Sequence, residues 1–200
     1  PTISRRGDSA ALASTTDFVT FVRHGITVPP ENKDMVLFPE QIRGDYVALH
    51  RPANSTFSPP QMWVARSKDL IDWGRHQHLA GGVYDWEGGR IGAGPPPIRT
   101  DEGWLELHHG SGRSGPGGTG VYAGGVMLLD LEDPSRVLRR SPQPILVPEA
   151  EYEMEGFVGD VVFPTGVVET GDTLLVYYGA ADTATAVVEL SRHEVLDALE

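Results

Sequence analysis

Ala13-Ser14-Thr15-Thr16-Asp17-Phe18-Val19-Thr20-Phe21 is echoed 52 residues later by Ala65-Arg66-Ser67-Lys68-Asp69-Leu70-Ile71-Asp72-Trp73. Each copy leaves a strand through a hydroxyl residue and an Asp, then presents an apolar pair and an aromatic. Hydroxyl and Asp side chains at this spacing capture nearby backbone N–H groups and so favour a tight turn. Looser echoes, Leu128-Leu129-Asp130-Leu131-Glu132-Asp133-Pro134 and Val188-Glu189-Leu190-Ser191-Arg192-His193-Glu194-Val195, follow at intervals of about sixty residues. Units of roughly 40 to 50 residues with several strands each are the signature of β-propeller blades.

Working outward, 24 Gly and 16 Pro punctuate short runs rich in Val, Tyr and Leu, which makes the chain all-β. Strands are expected at Val19–Val22, Met35–Phe38, Tyr46–His50, Met62–Arg66, Trp104–His108, Val126–Leu129, Val161–Phe163, Val167–Glu169, Leu174–Tyr178 and Ala186–Leu190. Arg43-Gly44-Asp45 and Glu169-Thr170-Gly171-Asp172 carry tight-hairpin chemistry. Only the stretch from Arg192 to Glu200 reads as helical. These strands fill three to four blades, and closed propellers have about four to eight. The expected architecture is therefore one incomplete propeller domain over residues 1–200. Pro1-Thr2-Ile3-Ser4-Arg5-Arg6-Gly7-Asp8 reads as a loop entering a strand at Ala10–Ser14 that has no partner before it, so a beginning is expected upstream.

Composition narrows the function. Two hundred residues with 40% hydrophobic content can build one core, and no apolar run approaches the length of about 18 residues that spans a bilayer. No secretory leader and no cysteine are present, which points to a cytoplasmic protein without disulfides or thiolate metal sites. Sixteen basic residues against 28 acidic ones give a net charge of −12, contrary to the basic footprint a nucleic-acid surface needs. His24, His50, His76, His78, His108 and His109 lack the spacing of a metal site. Ile91-Gly92-Ala93-Gly94-Pro95-Pro96-Pro97-Ile98 cannot be helical and reads as a rigid, shaped loop. It leads to Trp104-Leu105-Glu106-Leu107-His108-His109-Gly110, where the two histidines alternate across a strand and only one can face a pocket.

Those segments, with Asn32-Lys33-Asp34-Met35-Val36-Leu37-Phe38-Pro39-Glu40, Leu49-His50-Arg51-Pro52, Val162-Phe163-Pro164-Thr165-Gly166 and Tyr177-Tyr178-Gly179-Ala180-Ala181-Asp182, resemble glycoside hydrolase family 130, the β-mannoside phosphorylases and their relatives. The resemblance runs from about Ala11 to Ser191 with every motif in order. It implies a five-bladed propeller whose central pocket binds a β-mannoside and inorganic phosphate, with no further cofactor. Phosphate attacks the anomeric carbon with inversion and releases α-mannose 1-phosphate. Because phosphate is itself the nucleophile, a second carboxylate beside it would repel it, and cations with hydrogen-bond donors are expected instead.

By the same resemblance Lys33, Arg51 and His109 hold phosphate, and Asp182, Tyr122, Asp160, Phe163 and Arg90 line the sugar site. Asp160 stands where Asn is more usual, Arg90 where Lys is frequent, and Lys33 where Arg is also common. Without the family, Lys33 and Arg90 would read as solvated loop charges, Arg51 as a strand-end surface residue and Asp182 as a turn former. The family's general acid, an Asp in a Glu-Asp-Pro-Arg motif, is expected upstream of residue 1, leaving no catalytic residue in this chain and an inactive fragment. Glu132-Asp133-Pro134-Ser135 resembles that motif only superficially, since it sits in a later outer turn. A β-mannoside hydrolase and an inactive carbohydrate-binding relative stay open as alternatives. Family enzymes often assemble into homo-oligomers.

Overall fold

The computed structural model describes residues 2–4, 7–53, 57–112 and 120–200, with residues 2–4 described as backbone. Residues 113–119 of the Gly-rich run after Ser111 lie outside that description, as do Pro1, Arg5 and Arg6 of the opening segment. Among the described residues, four antiparallel sheets follow one another along the chain. The first is β1 (Thr2–Ser4), β2 (Gly7–Ser14) and β3 (Val22–Val28), and the second is β4 (Asn32–Leu37), β5 (Tyr46–Pro52), β6 (Met62–Ser67) and β7 (Trp73–Ala80), each in chain order. The third contains β8 (Arg90–Ala93), β9 (Ile98–Arg99), β10 (Trp104–Ser111), β11 (Tyr122–Leu129) and β12 (Val137–Arg140), ordered β12-β11-β10-β8 with β9 also paired to β10. The fourth is β13 (Val162–Thr170), β14 (Thr173–Ala180) and β15 (Ala184–Ser191). These are the blades of an incomplete propeller, and a short helix over Arg192–Asp197 follows the last strand.

The core lies between blades, because a blade in the ring is covered on both faces. Along β10 and β11, Trp104, Met127 and Leu129 join Leu49, Met62, Val64 and Ile91 between the second and third sheets. The alternate residues Leu105, Leu107, Val126 and Leu128 join Leu174, Val176 and Val195 between the third and fourth. Pleat alternation thus commits each strand to two cores at once. Phe38 meets Trp104 edge-on with ring centroids 5.2 Å apart. No helix among the described residues is long and apolar enough to cross a membrane.

The repeated turn has the same hydrogen bonds in both copies. Thr15 Oγ1 accepts from Phe18 N at 2.9 Å and Asp17 Oδ1 from Thr20 N at 2.8 Å; Ser67 Oγ accepts from Leu70 N and Asp69 Oδ1 from Asp72 N, both at 2.9 Å. Phe18 and Leu70 are both left-handed, at φ 57° and 68°. This corrects the expected strand at Val19–Val22. Its β-favouring side chains are overruled by local capture of the backbone N–H groups, and β3 starts only at Val22. In the second copy Leu70 and Trp73 line a cavity of about 160 Å³ with Ala10, Leu12, Met35 and Leu37, tying the second sheet to the first. Their counterparts Phe18 and Phe21 are 86% and 55% exposed.

Asp69→Ala is expected to lower the thermal midpoint at neutral pH. Backbone N–H groups of Asp72 and Ile71 stabilise the Asp69 carboxylate and hold its pKa below the ordinary value. A depressed carboxyl contributes stability above its unfolded pKa, and that contribution is lost as pH falls through the folded value. The gap between variant and parent should therefore close in acid. Equal midpoints at neutral pH would show that the turn forms without its Asp.

Other expectations change with tertiary context. Thr2–Ser4 does pair with β2, in register Thr2 to Ser9, so the segment before Ala10 is a hairpin rather than a partnerless loop. Arg90–Ala93, expected as loop, is β8 on the edge of β10, and only residues 94–97 after it are irregular before β9. The two strands expected on either side of Pro164 are one, β13, with a register shift between Pro164 and Gly166. Helical turns at Asp85–Glu87 and Glu151–Met154 precede the terminal helix that alone was expected.

Candidate functional site

The strand ends of the second and third sheets bring Lys33, Arg51, Arg90 and His109 to one region. Lys33 lies opposite Arg51 in the β4–β5 register, and Arg90 begins β8, which pairs with the His109 segment of β10. A bulge between Lys33 and Val36 interrupts β4, and Asp34 within it is left-handed at φ 50°. Bulges re-aim side chains, and strained non-glycine backbone recurs at functional sites. Asp34 is turned onto Arg51, its Oδ2 lying 3.0 Å from Arg51 Nη1 and 3.4 Å from His109 Nε2.

The centre of the cluster is Arg51, buried with only 6% of its surface exposed. Its Nη1 donates to His109 Nε2 at 3.0 Å. His109 Nδ1 lies 3.2 Å from the Ala93 carbonyl, which fixes the tautomer, since a carbonyl can only accept. Nδ1 carries the hydrogen and Nε2 offers its lone pair to the guanidinium. Full burial, reinforced by the Arg51 charge, drives the His109 pKa well below the ordinary value. His109 is therefore a neutral acceptor toward Arg51, a finer statement than its sequence reading as a phosphate-holding residue beside Lys33 and Arg51. Phe163 stacks on it with centroids 4.1 Å apart, and Tyr122 lies 6.0 Å away on a nearly parallel plane.

Arg90 lies over the Tyr122 ring, its guanidinium carbon 5.6 Å from the centroid. Arg51 Nε and Arg90 Nε are both buried with no hydrogen-bond partner among the described residues. Lys33, which is 39% exposed at its side chain, holds Asp8 Oδ2 at 2.7 Å and so gives its ammonium to β2. Gly92 is required here, because a Cβ would stand 2.5 Å from both Asp34 Oδ2 and His109 Cε1.

Five of the eight expected residues, Arg51, His109, Phe163, Tyr122 and Arg90, thus form one contact network. Lys33 flanks it. Asp160 is exposed and left-handed at φ 59°, and its carbonyl accepts from Tyr122 N at 2.9 Å, so its backbone rather than its carboxylate meets the network. Asp182 is exposed at φ 50° in the β14–β15 turn, and among the described residues no hydrogen bond or ion pair joins it to the others. His108 faces away from Arg51 as alternation requires, yet reaches neither solvent nor another blade. It is fully buried against Trp86, with centroids 5.5 Å apart, and Glu87. Asp133 Oδ1 accepts from Ser135 Oγ at 2.7 Å in the turn between β11 and β12.

Three acidic groups escaped the sequence reading. Asp34 could have been suspected from the polar run Asn32-Lys33-Asp34, which breaks strand alternation and so signals a bulge. Glu106 is fully buried with one oxygen accepting from Gly94 N at 3.3 Å, and burial pushes its carboxyl well above the ordinary value, so it stays protonated beneath the Gly-Pro segment. Glu87 binds Arg140 Nη2 at 2.7 Å and His108 Nε2 at 3.4 Å. Neither of the last two has a local signal, because partners distant along the chain hold them: His108 and Arg140 for Glu87, and Gly94 for Glu106.

Fold and site together define a β-propeller with an arginine-centred, aromatic-lined cluster drawn from its second, third and fourth sheets. Residues 2–200 match the family model described as glycoside hydrolase family 130, beta-1,4-mannooligosaccharide phosphorylase, and the chain belongs to that family. It is 46% identical to a beta-1,2-mannobiose phosphorylase of Listeria innocua, over 99% of this chain and 55% of that protein. It is 38% identical to a beta-1,4-mannooligosaccharide phosphorylase of Ruminococcus albus, over 93% of this chain and 56% of that protein. The solved structure of the Listeria innocua beta-1,2-mannobiose phosphorylase with beta-1,2-mannobiose superimposes with TM-score 0.89 at 44% identity, over 95% of this chain and 53% of that one. The chain thus spans about half the length of the relatives it matches.

Proposed function

We propose that this chain carries the phosphate-binding part of an inverting β-mannoside phosphorylase. The observation that supports this most is the pair of arginines, buried Arg51 and half-buried Arg90, each with a buried Nε–H unspent among the described residues, in a cluster lined by Phe163 and Tyr122. A guanidinium fork with free donors suits a tetrahedral oxyanion, and an aromatic wall suits the apolar face of a sugar ring. Arg51 receives the phosphate, Lys33 and Arg90 add charge, and neutral His109 orients Arg51. Asp182, Asp160 and Tyr122 bound the sugar side.

In the reaction one phosphate oxygen forms a bond to the anomeric carbon from the face opposite the aglycone. The glycosidic C–O bond breaks, and the departing oxygen takes a proton from a general acid supplied outside residues 1–200. The product is α-mannose 1-phosphate. Of the two linkages named for the relatives above, β-1,2 is the first choice, because the more similar relative carries it.

The test is phosphorus NMR of β-1,2- and β-1,4-mannobiose incubated with phosphate, using this chain and a polypeptide extended upstream. The extended polypeptide is expected to form α-mannose 1-phosphate from the β-1,2 disaccharide. Release of free mannose at a rate indifferent to phosphate would replace phosphorolysis by hydrolysis.

A further inference from the structure

Asp34 is an unexpected neighbour for a phosphate-binding arginine. Its carboxylate stands 3.0 Å from Arg51 Nη1, yet Oδ2 has no aligned hydrogen bond among the described residues. The Nη1 hydrogen bond goes to His109 Nε2 instead. Two jobs that a buried ion pair usually combines are therefore divided: His109 sets the direction of the guanidinium, and Asp34 supplies only opposing charge. Gly92 supports the division by leaving room for both side chains at one point.

We infer that Asp34 tempers the anion pocket, offsetting the Arg51 charge so that a dianion is held more weakly than the arginines alone would hold it. The inference rests on the phosphate reading of this pocket. Its chemical sense is that substrate phosphate and product sugar phosphate share the same anchor. Uniformly tight binding of both would trap product without lowering the barrier.

The charged and titratable groups facing Asp34 are Arg51 from β5, His109 from β10, Arg90 from β8 and Lys33 beside it, with Asp8 behind Lys33. Burial raises the Asp34 pKa, against the opposing pull of Arg51 and Lys33, and a bound dianion raises it further. Sulfate is a suitable probe, since it shares phosphate's shape and keeps its double charge throughout the range in which a carboxyl titrates.

The experiment is isothermal titration of this chain and of Asp34→Asn with sulfate, at constant ionic strength, at about pH 8 and about pH 5. Asn keeps the shape and removes the charge, so the variant is expected to bind sulfate about tenfold more tightly at the higher pH. The parent should move toward the variant's affinity at the lower pH, because the raised Asp34 pKa brings its carboxyl closer to protonation there. A purely structural Asp34 gives the opposite sign, weaker binding in the variant, and that result or equal affinities would overturn the inference while sparing the phosphate reading. If neither protein binds sulfate, the phosphate reading falls and the inference with it. Should the variant not fold, the parent alone decides, because a sulfate affinity that stays level between the two pH values overturns the inference.

Discussion

Arg51→Lys is expected to raise the phosphate concentration for half-saturation roughly a hundredfold in the extended enzyme, with a much smaller fall in thermal midpoint. The guanidinium has donors left over after one of them satisfies His109 Nε2, and its buried Nε is among them. An ammonium presents three donors from one point, so whichever hydrogen goes to His109 pulls the charge away from the ligand. Loss of a charge-assisted, two-point contact costs about 2 to 3 kcal/mol, which corresponds to that factor. Stability suffers less, because Lys still places a positive charge beside Asp34. Half-saturation measured against phosphate at saturating disaccharide separates the outcomes. A variant with unchanged phosphate dependence would make Arg51 a structural ion-pair partner and remove the main support for a phosphate pocket.

How much of this was legible in the chain depends on whether the determining contacts are local. The repeated hydroxyl-x-Asp turn was fully readable, since Thr15 with Asp17 and Ser67 with Asp69 act on N–H groups within three residues. The same local chemistry explains the error at Val19–Val22, where strand propensity was credited over side-chain capture. Arg90–Ala93 was misread for the reverse reason: glycines look like loop in isolation, but an edge strand beside β10 accepts them because Gly92 leaves space for Asp34 and His109. Motif matching picked out Arg51 and His109, which the structure brings into contact. It could not supply the charge state of His109, which follows from complete burial and a carbonyl at Nδ1. For Asp34 the polar run Asn32-Lys33-Asp34 marks the place of a bulge, but the direction in which the bulge turns the side chain is not legible in the sequence.

The largest stability loss is expected outside the pocket, at Glu87→Ala. Glu87 is fully buried, and its two oxygens bind four groups: Val83 N at 2.9 Å, Tyr84 N at 3.2 Å, Arg140 Nη2 at 2.7 Å and His108 Nε2 at 3.4 Å. The segment from Gly81 to Gly89 is folded around this carboxylate, and Arg140 Nη1 also donates to the Gly81 carbonyl at 3.0 Å. Truncation leaves the largely buried Arg140 charge without its counterion and two backbone N–H groups without acceptors. Breaking such a pair by removing one partner costs about 3 to 5 kcal/mol, a large share of the roughly 5 to 15 kcal/mol that keeps a domain folded. Glu87→Gln retains an acceptor for the N–H groups and should lose less. Burial alone would raise the Glu87 pKa, but the hydrogen bonds from His108 and Val83 and the Arg140 charge outweigh it, so the net shift is downward. The stabilisation is therefore present above the unfolded carboxyl pKa and is lost as pH falls through the lower folded value. Urea unfolding at neutral pH should show the full deficit of Glu87→Ala, and the deficit should shrink in acid. Because the same segment delivers Arg90 into β8, sulfate binding should weaken in parallel. A deficit under about 1 kcal/mol at neutral pH, the size of an exposed ion pair, would mean that the buried carboxylate is not what holds this segment.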